Sequence, residues 1–218
     1  MSIAKYIQPR AATQIPEPAL ARFLFADTRM AWLWLIVRVY VGYQWLTAGW
    51  EKLTGYDITF GATFGKAVKG GAWVFSGNDG VGLAGFVKGA IAQTQGAHPA
   101  VQSWYAWFLQ TVVQPYTGFW AYVVTFGELL VGIGLIVGCL TGIAAFFGVF
   151  MNMNFLLAGA VSINPIIGGL ALFLVLAWRV AGYYGLDYFV LPLLGTPWTG
   201  SLARKEKEKP KAAVPATS

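Results

Sequence analysis

Two charged residues lie inside long apolar segments of the sequence, and their side chains are the first candidates for chemistry. Arg38 falls within the apolar run 30–53, and Glu128 falls near the middle of the run 116–138. A charge in the hydrocarbon of a bilayer costs about 2.5–3.5 kcal/mol on insertion scales, so it is expected to have a partner. We therefore predict that Arg38 pairs with Glu128. Two interpretations stay open: an ion pair that pins two helices, or a catalytic pair whose carboxyl group accepts and releases a proton when a quinone is reduced or oxidised.

Arg38 also belongs to a stripe of residues that share one helix face. Arg38, Gly42, Trp45, Gly49 and Lys52 follow one another at spacings of four, three, four and three residues. Such spacings place side chains above one another on a helix, so the stripe is expected to face protein. Lys52 stands at the outer rim of the stripe, where it either attracts an anion or lies at the interface as an ordinary lysine.

Three asparagines supply the remaining polar candidates. Asn152 and Asn154 are two residues apart in one apolar run, and on an ideal helix they point about 200° apart, so at most one of them faces any given site. Amides in membrane helices often join helices, worth about 0.6–2 kcal/mol each, and this is the expectation for Asn152. Asn154 lies closer to Asn164, and for Asn154 ligand contact and helix contact are equally open.

The sequence encodes few groups that carry electrons or bind metals. Cys139 is the single cysteine and His98 the single histidine, which excludes within this chain a disulfide, a CxxC pair and a cysteine-based metal or iron–sulfur site. Segment 80–85 matches a GxGxxG pattern, but no βαβ unit and no suitably placed acid accompany it, so no flavin or nicotinamide site is predicted. A redox function would therefore depend on a borrowed carrier.

The composition predicts a membrane protein, because 57% of the 218 residues are hydrophobic and only 11% are charged. Each membrane span needs about 20 apolar residues. The predicted fold class is all-α: a bundle of four transmembrane helices with an interfacial insertion between the first two. The predicted spans are 30–53, 116–138, 141–161 and 164–184, and the insertion is 54–115, with short helices at 83–93 and 100–113.

The basic residues predict the orientation of this bundle. They precede the first span and follow the last, at Lys5, Arg10, Arg22, Arg29, Arg204, Lys205, Lys207, Lys209 and Lys211. The positive-inside rule then places both termini in the cytoplasm and the insertion outside the cell membrane. We predict a cytoplasmic segment 1–29 with a short interfacial helix, a membrane domain 30–190, and a basic, largely disordered cytoplasmic tail 191–218. The net charge of +6 is a topology signal and does not indicate nucleic-acid binding.

These patterns together resemble the DoxX/DoxD family. The resemblance rests on the Arg38 to Lys52 stripe and on the segments that begin Gly127-Glu128-Leu129, Met151-Asn152-Met153, Asn164-Pro165 and Gly182-Tyr183-Tyr184. It covers about residues 30–188, with 54–115 as the variable part. It implies a four-helix membrane subunit that in one branch, DoxD, acts with a small DoxA partner as a thiosulfate:quinone oxidoreductase.

Two functions follow as hypotheses. In the first, the chain belongs to a quinone-linked oxidoreductase that acts on a small reduced sulfur compound such as thiosulfate at the outer face. Glu128 and Arg38 are then the catalytic candidates, and the candidates for quinone or substrate contact are Trp45, Lys52, Asn152, Asn154 and Asn164. In the second, the chain is a non-catalytic anchor or assembly partner of a redox complex, and its polar residues only join helices. A homo-oligomer stays open in both.

Overall fold

A computed structural model describes residues 17–196 of the chain. Within this range the structure is helical and has no strand, apart from one isolated β-bridge between Tyr56 and Ala67. The helices are α1 (Ala19–Ala26), α2 (Ala31–Thr54), α3 (Val81–Ala92), α4 (Ser103–Phe108), α5 (Thr117–Val137), α6 (Thr141–Leu157), α7 (Asn164–Leu176), α8 (Trp178–Ala181) and α9 (Asp187–Leu193). Residues 197–218, which make up most of the predicted tail 191–218, lie outside the described residues, as do Lys5 and Arg10.

The predicted helices exist, but two of them are shorter than expected. α6 ends at Leu157, because Gly159 adopts a left-handed conformation with φ +79° that turns the chain away. α7 begins at Asn164 with Pro165 in its first turn, as predicted, and ends at Leu176. Between residues 17 and 196, one continuous helical stretch, Ser103–Val137, is long and apolar enough to cross a membrane, whereas α3, α6 and α7 are shorter apolar helices.

Helices α2 and α5 run antiparallel, and glycines bring their backbones close together. A Cβ atom at Gly132 of α5 would lie 2.5 Å from the backbone nitrogen of Leu46, and one at Gly49 of α2 would lie 2.9 Å from the nitrogen of Leu129. Gly42 is equally tight against Leu135. This confirms that the stripe containing Gly42 and Gly49 faces protein, and it fixes how the two helices are aligned.

The turn between α5 and α6 is held by Asp187 and defines what we call the hairpin end of the bundle. Asp187 is fully buried and accepts hydrogen bonds from the backbone N–H groups of Leu140 (2.6 Å) and Thr141 (2.8 Å) at the start of α6. Its own N–H donates to the carbonyl of Gly138 at 2.7 Å. This carboxylate therefore caps the start of α6, and Asp187 is also the first residue of α9.

The insertion between α2 and α5 packs over the opposite end of the bundle, which we call the insertion end. Its core consists of buried residues from α3, α4 and the start of α5, including Leu83, Tyr105 and Ala121. The insertion is tied to α5 where the Tyr122 hydroxyl donates to Asp79 at 2.6 Å. This hydrogen bond, with one from the backbone of Ser76, lowers the pKa of Asp79 below its usual range.

The close contact of α2 and α5 predicts that Gly132→Ala destabilises the fold. The added methyl group meets backbone atoms of Leu46 that cannot move without separating the helices, and overpacking of this kind costs about 1–3 kcal/mol. Gly169→Ala in α7 is the matched control, since a Cβ atom there meets nothing within 4 Å and Ala favours helix over Gly by about 1 kcal/mol. Unfolding midpoints in detergent should fall for the first variant and hold or rise for the second; equal midpoints would contradict the packing.

Candidate functional site

The central feature of the site is an ion pair between Lys52 of α2 and Glu128 of α5. The Lys52 Nζ atom lies 2.7 Å from Oε2 and donates a hydrogen bond to Oε1 at 2.9 Å. The Glu128 side chain is 1% exposed and that of Lys52 17% exposed. Helical side chains lean toward the N-terminus of their helix, so Lys52, near the end of α2, reaches back to a carboxylate in the middle of α5.

The predicted pairing of Arg38 with Glu128 was wrong, and the alignment of α2 with α5 explains why. Gly49 faces Glu128 and Leu129, whereas Arg38 lies level with the end of α5. Gly49 is eleven residues beyond Arg38, which is about 16 Å along a helix at about 1.5 Å per residue. The two charges therefore belong to different levels of the bundle.

Arg38 finds its partners at the hairpin end. Its guanidinium donates to the backbone carbonyls of Leu135 at 2.9 Å and Tyr184 at 3.0 Å. The Leu135 carbonyl is in the last turn of α5, where unpaired carbonyl groups and the helix dipole favour a cation. Among residues 17–196, no carboxylate bonds directly to the buried Arg38, which joins α2, α5 and the segment before α9. The structure does not bring it to the candidate site.

Aromatic rings surround the exposed side of the ion pair. Lys52 Nζ lies 5.1 Å from the centroid of the Trp73 ring and 5.8 Å from that of Phe155, both within the range of a cation–π interaction. Trp45 stacks on Phe155 with ring centroids 6.2 Å apart. Trp45 is buried, as its place in the stripe predicted, and its Nε1 atom has no hydrogen-bond partner among the described residues.

Sequence reasoning did not identify Trp73 and Phe155 as site residues. Trp73 lies in the insertion, and its backbone N–H donates to the carbonyl of Lys52 at 2.7 Å. A Cβ atom at Gly82 of α3 would overlap the Trp73 ring, so the glycine is what allows the indole to sit there. No spacing rule links residue 73 to residue 52, because the contact depends on how the insertion folds back.

The three asparagines divide between two places, which confirms that Asn152 and Asn154 face different directions. Asn152 is buried, and its Nδ2 atom donates to Oδ1 of Asn164 at 3.3 Å, linking α6 to α7. Asn164 in turn donates to the carbonyl of Ala160 at 2.7 Å. Asn154 instead accepts a hydrogen bond from the hydroxyl of Tyr105, at 3.1 Å to its Oδ1 atom. Only Asn154 of the three lines a cavity beside the ion pair.

That cavity has a volume of about 210 Å³ and lies among α3, α5, α6 and the turn that precedes α5. Its walls are almost entirely apolar, and Phe155 is one of them. Since Phe155 also contacts Lys52, its ring borders both the cavity and the ion pair. Taken together, the site consists of a buried carboxylate, a lysine that leads toward the surface, and an apolar cavity next to both.

The ion pair predicts strong coupling between Lys52 and Glu128. Lys52→Met or Glu128→Gln alone leaves one buried group without its partner, which costs about 3–5 kcal/mol in buried pairs, whereas the double variant leaves neither. The double variant should therefore be more stable than the sum of the single effects implies, as measured by unfolding in detergent. Arg38→Met combined with Glu128→Gln is the control and should be additive, because these residues do not touch. Additivity in both cycles would refute the pair.

Comparison with known proteins agrees with the resemblance found in the sequence. The DoxX family model matches residues 33–158, more than half of the chain. The matched region runs from the start of α2 to just past the end of α6, so it contains Lys52, Glu128 and Asn154. No curated protein and no solved structure matches the chain. The family match is sufficient on its own: this chain belongs to DoxX, a family of membrane proteins.

Proposed function

We propose that this protein is the membrane subunit of a quinone-linked oxidoreductase in which Glu128, held by Lys52, exchanges the proton that quinone chemistry requires. The observation that carries the proposal is the buried Lys52–Glu128 pair beside an apolar cavity. A carboxylate removed from water is a poor structural choice, because an apolar pair of similar volume often holds helices equally well or better. Titratable groups in such surroundings are typical of functional sites.

The residues present fit a quinone. The cavity is apolar, its size suits a ring, and Asn154 supplies a polar group at its wall. A bound quinone accepts two electrons and two protons and becomes a quinol. The side chains of the protein would orient the ring, exclude water and provide a proton path. Glu128 has no exposed route of its own, whereas Lys52 is 17% exposed, so protons would exchange with the solvent along the lysine.

The electron donor in this proposal is a small reduced sulfur compound such as thiosulfate, as the sequence resemblance implies. Two thiosulfate ions form one S–S bond to give tetrathionate and release two electrons, which together with two protons convert one quinone to quinol. The donor would react at the insertion end, where Lys52 offers a cation, and a small DoxA-like partner would assemble there. An anchor without activity is the competing function, in which the ion pair only fastens α2 to α5.

Glu128→Gln separates these two functions. The amide keeps the shape of the carboxyl group and most of its hydrogen bonding but cannot exchange a proton. Thiosulfate-dependent reduction of decylubiquinone, measured by absorbance with the full-length protein in nanodiscs and with any partner that copurifies, should fall at least about a hundredfold. Glu51→Gln is the control, because it makes the same change at the residue that precedes Lys52 on α2. This variant should keep the native rate.

A Glu128→Gln variant that folds and turns over at the native rate would contradict the catalytic role of this carboxylate. If the protein is an anchor without activity, neither the native protein nor either variant would reduce quinone with thiosulfate. Copurification of the same partner proteins with all three would then favour assembly as the function.

The proposal includes the four-span topology, with both termini in the cytoplasm of the cell and the insertion outside. It is supported by the long helix Ser103–Val137, by the apolar helices α6 and α7, and by the basic residues at both ends of the sequence. In a Cys139→Ser background, single cysteines at Asn78 and Ser201 should react with a membrane-impermeant maleimide from opposite sides. Labelling of both from the same side of intact cells would refute the topology.

A further inference from the structure

One wall of the apolar cavity is an irregular part of the helical stretch that leads into α5. Five residues, Leu109–Val113, form a π-helical turn, and Gln114–Tyr116 form a 3₁₀ turn that contains Pro115. Leu109 and Val113 line the cavity. The Trp120 indole N–H donates to the carbonyl of Val112, in this π turn, at 3.0 Å. Single π turns in α-helical stretches occur frequently at functional sites.

The lining of the cavity suits a flat ring. Aromatic side chains from four parts of the structure surround it: Phe86, Tyr105, Phe108, Trp120 and Phe155. An apolar cavity of about 150 Å³ is known to hold benzene, so about 210 Å³ accommodates a ring with small substituents. Rings packed edge to face or offset against such walls are favourable, by about 0.5–1.5 kcal/mol per pair.

Asn154 offers one hydrogen bond to a ligand in this cavity. Its Nδ2 atom carries two N–H groups, and one of them donates to the carbonyl of Phe150 at 2.8 Å. Its Oδ1 atom is already taken by the Tyr105 hydroxyl. The second N–H group is therefore available to a carbonyl oxygen. A ligand that carries a carbonyl group on a flat ring matches both the walls and this donor.

The cavity opens sideways between α5 and α6. Val123 and Phe150 line it, yet they are 44% and 60% exposed, so they lie at its mouth. The surface around this mouth is apolar, with Phe126, Leu130 and Phe147 exposed on the same two helices. In a membrane protein such a surface faces lipid, so a ligand that dissolves in the bilayer reaches the cavity without crossing water.

We propose that this cavity is a side-entry site for the ring of a lipid-soluble quinone, with the second N–H of Asn154 donating to one quinone carbonyl and Phe155 forming a wall that also contacts Lys52. The identity of the ligand rests on the proposed function; the position of the site rests on the cavity. Glu128 does not line the cavity and is not needed to hold the ring.

Val124→Phe tests the position, because Val124 lines the cavity and a larger side chain fills it. Val39→Phe is the matched control, since Val39 is 41% exposed on the outer face of α2 and is not part of the cavity. Binding of decylubiquinone to the full-length protein in nanodiscs is measured by ultrafiltration, with empty nanodiscs as background. The dissociation constant should rise at least about tenfold for Val124→Phe and stay within about twofold of native for Val39→Phe and Glu128→Gln.

A second measurement does not depend on whether Val124→Phe folds. An azido-quinone photolabel on the native protein, mapped by mass spectrometry, should mark α5 and α6 near Val123 and Phe150. Photolabel confined to the groove on α2 near Tyr40 and Tyr43 would overturn the inference. Equal quinone binding by the native, Val124→Phe and Val39→Phe proteins would also overturn it, and this result is expected if a lipid chain occupies the cavity. Quinone that binds here while Glu128→Gln keeps full turnover would refute the proposed role of Glu128 and leave the binding site standing.

Discussion

The close approach of α2 and α5 is the constraint on which the rest of the structure depends. Gly49 and Gly132 let the two backbones meet, and this contact allows only one alignment of the helices. Arg38, Lys52 and Glu128 then receive their partners from that alignment. Lys52 meets Glu128 at the middle of α5, and Arg38 meets the carbonyl groups at its end. A shift of one helical turn would leave the Glu128 carboxylate without a cation in an apolar interior, a loss of several kcal/mol.

The cations Arg38 and Lys52 serve opposite ends of the molecule. Arg38 binds backbone carbonyls, which are fixed in place and cannot titrate, so it is suited to holding the hairpin end together with Asp187. Lys52 binds a side-chain carboxylate that can gain or lose a proton, and it is partly exposed. In the proposed function, chemistry therefore belongs to the insertion end, whereas Arg38 at the hairpin end binds carbonyl groups that do not titrate.

Much of the fold was predictable from the sequence, because long apolar runs, Pro165 and the spacing of Gly42 and Gly49 each have a direct physical meaning. The partner of Glu128 was not predictable, because it depends on the relative alignment of two helices. Apolar runs do not show which residues of two packed helices lie at the same level. Lys52 was not predicted as this partner, because a lysine at the membrane interface rarely needs one. The capping role of Asp187 and the position of Trp73 depend on segments that fold back over long distances in sequence, and no local pattern reports such contacts.

The attachment of Trp73 has a consequence for how the length of the insertion can vary. Its N–H group is bonded to the carbonyl of Lys52, and its own carbonyl accepts from the N–H of Gly80 at 2.9 Å. The indole is thus fastened on both sides, to the end of α2 and to the start of α3. Extra residues near Gly61 or Gly65, where the chain is open to solvent, would lengthen a free arc and leave the ring in place. A single residue added among the six positions between Trp73 and Gly80 would detach the indole and uncover Lys52. Natural or engineered length variation in this insertion should therefore occur mainly before Trp73 and be rare between Trp73 and Gly80.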